Sequence, residues 1–206
     1  MLAIVETIAA FSCNAPLMKV LFVCTGNLCR SPMAEVLLRD ELRRRGCTGV
    51  DVVSSGTWGI DGSPATPEAV QAVGELDIDL SSHRARSIDV DEVRSADIVV
   101  AMTSVHVREI TQMVPGAEEK IVLLKHLGAI EVATPLADGP GRAQRLEALL
   151  GGRRPELVRA HDVDDPMGMD VSRYRRTVAE LRDGIAHLAN MICGPGPSSN
   201  RPPDHL

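Results

Sequence analysis

The sequence predicts an α/β fold of three layers, in which helices cover both faces of a four-stranded parallel sheet. Short apolar runs alternate with stretches of helical periodicity, which is the pattern of repeated strand–helix units. The run at residues 98–102 contains only apolar residues, as expected of a strand that is buried on both faces. The predicted strands are residues 19–24, 50–55, 98–102 and 121–124.

Helices are predicted between these strands and after the last one. Ser31 is a good capping residue, Pro32 is favoured in a first helical turn, and Gly46 is typical of the position that follows a helix. Apolar side chains recur on one side of the helix that these residues delimit. The predicted helices are residues 31–45, 67–76, 104–113 and 171–190.

The composition narrows the class of protein. The chain has 206 residues, of which 44% are hydrophobic and 24% charged, enough for one globular domain with a real core. Its formal net charge is −6 and it has no basic stripe, which argues against nucleic acid or an anionic membrane as a partner. No apolar run reaches the roughly 18 residues of a membrane span. A bound anion must therefore be held by a local arrangement.

Three parts of the chain are distinguished by composition. Residues 1–17 are predicted to be a dispensable N-terminal extension, because the first strand begins just after Met18. Residues 18–193 form the working domain, with an irregular insertion at about 130–160 that is rich in Gly, Pro and Arg. The Gly/Pro/Ser-rich tail, residues 194–206, is predicted to be disordered.

The cysteines are odd in number and scattered, in a chain large enough to fold without disulfides. This usage favours a reducing cytoplasm and gives no spacing of a zinc site. No role is expected for Cys13, Cys47 or Cys193. The remaining two, Cys24 and Cys29, lie in the motif that carries the chemistry.

That motif joins the first strand to the first helix, and residues 24–30 are called the phosphate loop below. Converging backbone N–H groups and a helix N-terminus form a cradle for an anion, and Arg30 offers a planar fork for two phosphate oxygens. Gly26 permits unusual backbone dihedrals, and Asn27 tolerates a left-handed conformation. The predicted phosphate-binding residues are Thr25, Gly26, Asn27, Leu28, Cys29 and Arg30.

The same positive surroundings favour the thiolate form of Cys24, which makes it a nucleophile, and the Ser31 hydroxyl is placed to stabilise that thiolate. No Gly-Lys-Ser/Thr follows the glycine, so a Walker-type nucleotide site is excluded. Because Arg30 and the N–H groups already supply positive charge, phosphoryl transfer without a metal or cofactor is expected. The plainer alternative is a buried cysteine in an inert loop.

VCTGNLCRSPMAE at residues 23–35 resembles the signature loop and first helix of the low-molecular-weight protein-tyrosine-phosphatase family. Further matches follow in order over about residues 18–190, interrupted by the insertion. They are Ser54-Ser55-Gly56 with Trp58, Ala65-Thr66-Pro67, Ser82-His83, Ala96-Asp97, Ala101-Met102-Thr103 and Asp165-Pro166.

The resemblance implies the roles of several residues. Asp165 would be the general acid, with Asp164 as the nearest rival, and His83 would support the phosphate loop beside Ser54. Trp58 and Met167 would form walls against the substrate, although a lone Trp is also a common core anchor. The acidic group around Asp165 fits no metal-ligand template, so a metal site there is the less favoured interpretation. The other histidines, His106, His126, His161, His187 and His205, match nothing in the family and are assigned no role.

The resemblance also implies regulation and a substrate class. Cys24 and Cys29 would form a reversible disulfide that shields the nucleophile from further oxidation. Leu28 resembles the bulky aliphatic residue of tyrosine phosphatases, whereas the Met167-Gly168-Met169 run lacks their aromatic residues and resembles the bacterial branch that includes protein-arginine phosphatases. Phosphotyrosine proteins and aryl phosphates are therefore the expected substrates, with phosphoarginine as the alternative.

Two other classes are less favoured. A thioredoxin-coupled arsenate reductase needs further cysteines downstream of the loop, and none lies between Cys47 and Cys193. A non-catalytic phosphate-binding or redox-sensing module would not need Cys24, Arg30 and Asp165 together. The sequence thus predicts a cytoplasmic cysteine-dependent phosphatase, either a monomer or a weak homodimer.

Overall fold

The protein is described by a computed structural model that covers residues 18–129 and 161–194. The predictions for residues 1–17, for the insertion at about 130–160 and for the tail from residue 195 lie outside the described residues.

Four parallel strands form the predicted sheet. They are β1 (Met18–Cys24), β2 (Val50–Gly56), β3 (Ile98–Ala101) and β4 (Ile121–Leu123). The order across the sheet is β2-β1-β3-β4, with Val20 opposite both Val52 and Ile98. Each predicted strand is present, and its observed ends differ from the predicted ones by one residue at most.

The described helices include the four predicted ones and add short ones. They are α1 (Arg30–Arg44), α2 (Pro67–Gly74), α3 (Val90–Ser95), α4 (Ser104–Met113) and α5 (Val171–Cys193), with 3₁₀ helices at Ala117–Lys120 and Leu124–Ala129. Helix α3 was not predicted because six residues are fewer than two turns and show no periodicity.

The start of α1 differs from the prediction. Cys29, not Ser31, occupies the N-cap position, and no side chain caps the helix there. Ser31 is a buried residue of the first turn, so its hydroxyl is available to the phosphate loop. The end is as predicted, since Gly46 has φ of +65°, which a residue with a Cβ adopts with difficulty.

Two apolar clusters on opposite faces of the sheet make the fold three-layered. Side chains that alternate along β1 divide between them, because successive residues of a strand point to opposite faces. Phe22 packs with residues of α1, α2 and α5, whereas Leu21 and Val23 pack with residues of α3 and α4. Both faces of β1 are therefore covered.

The covalent link between α1 and α5 corrects the sequence-based expectation. Cys47 and Cys193, to which no role was assigned, form a disulfide across 146 residues of sequence. Cys47 follows the end of α1 and Cys193 is the last residue of α5, and the two helices pack along each other. The sequence could not show this pairing because neither cysteine lies in a spacing pattern.

The topology places the phosphate loop. Strand β1 lies between β2 and β3, so the connections that follow β1 and β3 run to opposite sides of the sheet. A crevice opens at the carboxyl end of β1, where they diverge. Cys24 is the last residue of that strand. Among the helices of residues 18–129 and 161–194, none is long and apolar enough to cross a membrane.

Candidate active site

The phosphate loop is held from outside by backbone hydrogen bonds to the loop that follows β2. Four of its carbonyl groups accept N–H groups of that segment, so they point away from the interior of the loop. The pairs, donor first, are Thr57 to Cys24 (2.9 Å), Trp58 to Thr25 (2.9 Å), Ile60 to Gly26 (3.3 Å) and Thr66 to Leu28 (3.1 Å).

The N–H groups of the loop point the other way. Within the part of the chain that the structure describes, no N–H from residue 25 to residue 30 donates to a protein acceptor. Converging, unbonded N–H groups at the start of a helix form an anion-binding concavity. The loop is thus built to receive an anion.

Gly56 permits the close approach of the two segments. A Cβ atom at this position would lie 2.3 Å from the carbonyl oxygen of Thr25 and 2.9 Å from the backbone nitrogen of Asn27. No side chain can be accommodated there without moving the phosphate loop. Gly56 therefore fixes the floor on which the loop rests.

Asn27, and not Gly26, adopts the unusual backbone conformation. Its φ is +55°, whereas Gly26 has no positive φ and would tolerate a Cβ at ordinary contact distance from Leu28. The expectation that Gly26 supplies the unusual backbone dihedrals of the loop was therefore wrong. Its place is on the cleft lining, where a larger side chain would occupy the volume of the cleft.

The amide of the buried Asn27 is fully used. Its Nδ2 donates to the hydroxyls of Ser31 and Ser54, each at 2.9 Å, and its Oδ1 accepts the N–H of Arg86 at 3.0 Å. His83 Nε2 lies 2.8 Å from the Asn27 carbonyl oxygen. A buried amide satisfied at every atom holds one rotamer, which locks the left-handed turn of the loop.

Cys24 lies at the base of this cradle. Its side chain is 3% exposed, and its Sγ is 3.0 Å from Ser31 Oγ. The Ser31 oxygen already accepts a hydrogen bond from Asn27, and its single proton has two acceptors within reach, the carbonyl oxygen of Ser55 at 3.3 Å and the Cys24 sulfur. Hydrogen bonding to a thiolate favours the charged form.

Arg30 approaches the cradle from the first turn of α1. Its guanidinium is 5% exposed and donates from Nη1 to the carbonyl of Val163 at 3.2 Å and from Nη2 to Asp165 at 2.7 Å. Its Nε is buried and has no acceptor among the described residues. A buried donor without an acceptor is costly, and an anion in the cradle would satisfy it.

Residues 161–167, called the acid segment below, lie beside the end of β3, where the Val163 N–H donates to the Met102 carbonyl at 2.8 Å. Two of their aspartates, Asp164 and Asp165, have opposite orientations. Asp165 is half exposed, contacts Arg30 and accepts the N–H of Met167 at 3.1 Å. Asp164 points outward and pairs with Arg173 at 2.6 Å. Only Asp165 faces the phosphate loop.

The remaining acidic residues near Asp165 are each engaged by the protein. Asp162 binds the first residue of α4, and Asp170 caps α5 by accepting the N–H of Arg173. Among residues 18–129 and 161–194, no three His, Cys, Asp or Glu side chains are grouped as a metal site requires.

The cleft above Cys24 has a polar base and apolar walls. Its volume is about 240 Å³. Trp58, the single Trp, is 71% exposed at its rim, so it is not a core anchor. Ile60 also lines the wall and was missed, although it shares the Gly/Ser/Pro-rich loop with Trp58. The full lining is Cys24, Thr25, Gly26, Leu28, Cys29, Arg30, Trp58, Ile60, Asp165 and Met167.

Cys29 shares the cleft with Cys24 but has different surroundings. Its Sγ lies 3.3 Å from the hydroxyl of Tyr174 and 3.7 Å from that of Thr66. Burial raises the pKa of the Cys29 thiol above its ordinary value. Cys29 is therefore a thiol at neutral pH.

His106, to which no role was assigned, contacts the phosphate loop. Its Nε2 lies 2.9 Å from Thr25 Oγ1, and its Nδ1 lies 2.9 Å from Thr103 Oγ1. Burial, together with the charge of Arg30, lowers its pKa to about 3, so the ring is neutral. No local signal marks this contact, since Thr25 is 81 residues away in sequence.

Comparison with known proteins agrees with this geometry. A profile of the family described as low molecular weight phosphotyrosine protein phosphatase matches residues 19–139, more than half of the chain. The chain belongs to this family. The protein-arginine-phosphatase of Bacillus subtilis is 32% identical over 175 residues, which are 85% of this chain and 97% of that protein. The low molecular weight protein-tyrosine-phosphatase Etp of Escherichia coli is 36% identical over 104 residues, which are 50% and 67% of the two chains.

Solved structures of this phosphatase family share its fold. The low molecular weight protein tyrosine phosphatase of T. tengcongensis superimposes with a TM-score of 0.66 and 32% identity, covering 85% of this chain and 99% of the other. The YwlE arginine phosphatase of Geobacillus stearothermophilus superimposes with a TM-score of 0.63 and 31% identity, covering 84% and 91%. The relatives of this phosphatase therefore include proteins named tyrosine phosphatases and proteins named arginine phosphatases.

Proposed function

We propose that this protein is a cysteine-dependent phosphatase that removes phosphate from phosphorylated proteins through a phosphocysteine intermediate. The observation that carries the proposal is the placement of Cys24 Sγ beneath unbonded loop N–H groups, 3.0 Å from the Ser31 hydroxyl. Thiolate, anion cradle and Arg30 together provide a nucleophile and the charge stabilisation that phosphoryl transfer needs.

In the first step the Cys24 thiolate attacks phosphorus, forming an S–P bond as the P–O bond to the leaving group breaks. The loop N–H groups and the Arg30 guanidinium hold the three non-bridging oxygens. Protonated Asp165 gives its proton to the departing oxygen, so that no unstable oxyanion is released. A phosphate bound on Arg30 competes with Asp165 for Nη2, which frees the carboxyl group for this task.

In the second step the ionised Asp165 takes a proton from a water molecule, whose oxygen attacks the phosphocysteine. The S–P bond breaks, the thiolate returns and inorganic phosphate leaves. Ser31 stabilises the returning thiolate by donating its hydroxyl proton. Asn27, Ser54 and His83 act indirectly, since they fix the shape of the loop.

Phosphotyrosine is the substrate that the cleft favours. Leu28, Trp58, Ile60 and Met167 offer apolar surface above the polar base, which suits an aromatic ring that carries a phosphate. A half-buried Leu28 offers no hydrogen bond to a guanidinium.

Phosphoarginine is the second candidate. Two observations favour it: the relatives named protein-arginine-phosphatase match over more than four fifths of this chain, and the segment after Asp165 carries no aromatic residue. Asp165 is also half exposed at the cleft, where a carboxylate can accept from a guanidinium.

The test compares kcat/KM on phosphotyrosine and phosphoarginine peptides of the same sequence context, with EDTA present. We expect phosphotyrosine to be preferred, and Leu28→Thr to shift the ratio toward phosphoarginine. A wild-type preference for phosphoarginine would keep the Cys24 chemistry and reject the argument from Leu28. Activity on neither substrate would contradict the proposal itself. The control for this outcome is phosphate binding: wild type and Cys24→Ser should bind inorganic phosphate equally tightly, which shows that the loop is formed.

The setting of this activity is also part of the proposal. A nucleophilic thiol works only when reduced, and Cys24 is free and buried, which favours a cytoplasmic location. The Cys47–Cys193 disulfide counts against it, because disulfides are rare in a reducing cytoplasm. The substrate is a phosphorylated protein, and the working form is a monomer or a weak homodimer.

A further inference from the structure

Asp162 caps a helix to which it does not belong. Its Oδ1 accepts the backbone N–H of Ser104 at 2.7 Å, and its Oδ2 lies 3.3 Å from the Ser104 hydroxyl. Ser104 is the first residue of α4, where N–H groups have no partner within the helix and a carboxylate is favourable. The bond crosses 58 residues of sequence.

Helix α4 already has a cap of its own. The hydroxyl of Thr103 accepts the N–H of His106, which is the usual local arrangement. The carboxylate of Asp162 is therefore not needed to begin the helix. Its main consequence is for the acid segment, which it ties to the end of β3 and the start of α4.

Polar contacts to neighbouring elements and the buried Val163 side chain hold the acid segment in place. Beside Asp162, the backbone N–H of Val163 donates to Met102 at 2.8 Å, and the carbonyl of Val163 accepts from Arg30. Asp165 itself contacts Arg30. Because a bound phosphate competes for the Arg30 guanidinium, the anchors that remain are those that do not involve Arg30. Asp162 and the Val163 N–H tie the segment to the end of β3 and the start of α4. The Lys125 ammonium on the Asp162 carbonyl (3.2 Å) and the exposed Asp164–Arg173 pair (2.6 Å) are further anchors.

We infer that Asp162 is a positioning residue, which holds Asp165 within reach of the leaving-group oxygen once phosphate occupies Arg30. This inference rests on the proposed function, since it requires Asp165 to be the general acid. Loss of the Asp162 anchor lets the segment drift, and a displacement of about 1 Å costs up to about 10²-fold in rate. The loss falls on substrates whose leaving group needs a proton.

The experiment measures kcat/KM on phenyl phosphate, a poor leaving group, and on p-nitrophenyl phosphate, a good one. For Asp162→Ala we expect a loss of about 10-fold or more on phenyl phosphate and of less than about 3-fold on p-nitrophenyl phosphate. Asp162→Asn keeps an oxygen for the Ser104 N–H and should restore most of the rate. Asp164→Ala removes the exposed pair with Arg173 and leaves the contact with α4, so its loss on phenyl phosphate should be smaller than that of Asp162→Ala; an equal loss would overturn the particular role of Asp162.

Asp165→Ala separates the two claims. If it shows the selective loss on phenyl phosphate and Asp162→Ala does not, the inference fails and the proposed acid survives. If Asp165→Ala affects both substrates equally, the acid role and the inference both fail. Adding Asp162→Ala to Asp165→Ala should cost nothing further, because both act on one step. Should Asp162→Ala not fold, Asp162→Glu shifts the carboxylate by one methylene, and a wild-type ratio of the two substrates would overturn the inference.

Discussion

The phosphate loop and the acid segment face each other across one cleft, yet they are held in different ways. The loop is contiguous in sequence, its buried Asn27 is fully bonded, and four of its carbonyl groups are fixed by a neighbouring segment. The acid segment is held by separate polar contacts of Asp162, Val163, Asp164 and Asp165 with different partners, and the partner of Asp165 is Arg30. The difference indicates that the loop around Cys24 is preorganised, whereas Asp165 can exchange its contact with Arg30 for another partner.

That difference has a chemical reason. The charge of the phosphate is present from binding to release, so the groups that hold it need not move. In the proposed mechanism Asp165 must leave Arg30, give a proton and later take one from water. A loosely anchored carboxylate suits that sequence, and local stability is commonly lower where a segment has to move.

The largest effect on kcat/KM is expected from a substitution that displaces the phosphate loop. Gly56→Ala places a Cβ against the carbonyl of Thr25, so the loop must shift and we expect a loss of about 10²-fold in kcat/KM. Phosphate affinity, measured by calorimetry, should fall as well. Gly74→Ala is the matched control, because nothing lies within 4 Å of the added Cβ. Full activity of Gly56→Ala would show that the loop is not held as described.

A smaller effect, on anion affinity, is expected from a substitution in the acid segment. Asp165→Asn removes the carboxylate that competes with phosphate for Arg30, so tungstate should bind about 3- to 10-fold more tightly than to wild type. Calorimetry measures this directly. Asp164→Asn removes the same charge from a position that pairs with Arg173 instead, and it should leave the affinity unchanged. An equal gain in both variants would point to long-range charge alone.

His106 joins the phosphate loop to α4, and its contribution to stability should depend on pH. Its pKa is lowered from the ordinary value of 6.5 to about 3. Between these two pH values the imidazole is protonated in the unfolded chain but neutral in the folded protein. Stability from this residue is thus complete above pH 6.5 and is lost as pH falls toward 3. We expect His106→Gln to lower Tm at pH 7.5 but to flatten the decline of Tm between pH 6.5 and 4.5. His187→Gln, at an exposed position, should leave that decline as steep as in wild type.

The smallest effect on turnover is expected from the disulfide, which is remote from both sides of the cleft. Cys47→Ser should lower the free energy of unfolding by about 2–4 kcal/mol without reductant, while kcat/KM stays within about 2-fold. Cys193→Ser should match it, and the double variant should add nothing. Wild type in dithiothreitol should resemble the variants. A change in kcat/KM of more than about 2-fold would connect this end of α5 to the site.

The interior of the phosphate loop was largely predictable, because its residues are adjacent in sequence. Cys24, Arg30 and Ser31 follow one another through a strand end, a turn and a helix start, and local geometry brings them together. The strands and the longer helices were predictable for the same reason, since periodicity is a property of neighbouring residues. Short elements such as α3 carry too few residues to show a period.

What the sequence by itself determined is thus the family resemblance, the parallel sheet and the contiguous loop residues on which the proposed chemistry rests. Only the tertiary structure decided the pairing of Arg30 with Asp165, the contact of His106 with Thr25 and the disulfide. These contacts span 135, 81 and 146 residues. No local preference encodes such pairs, because they form only when packing of the helices on the sheet brings distant residues together.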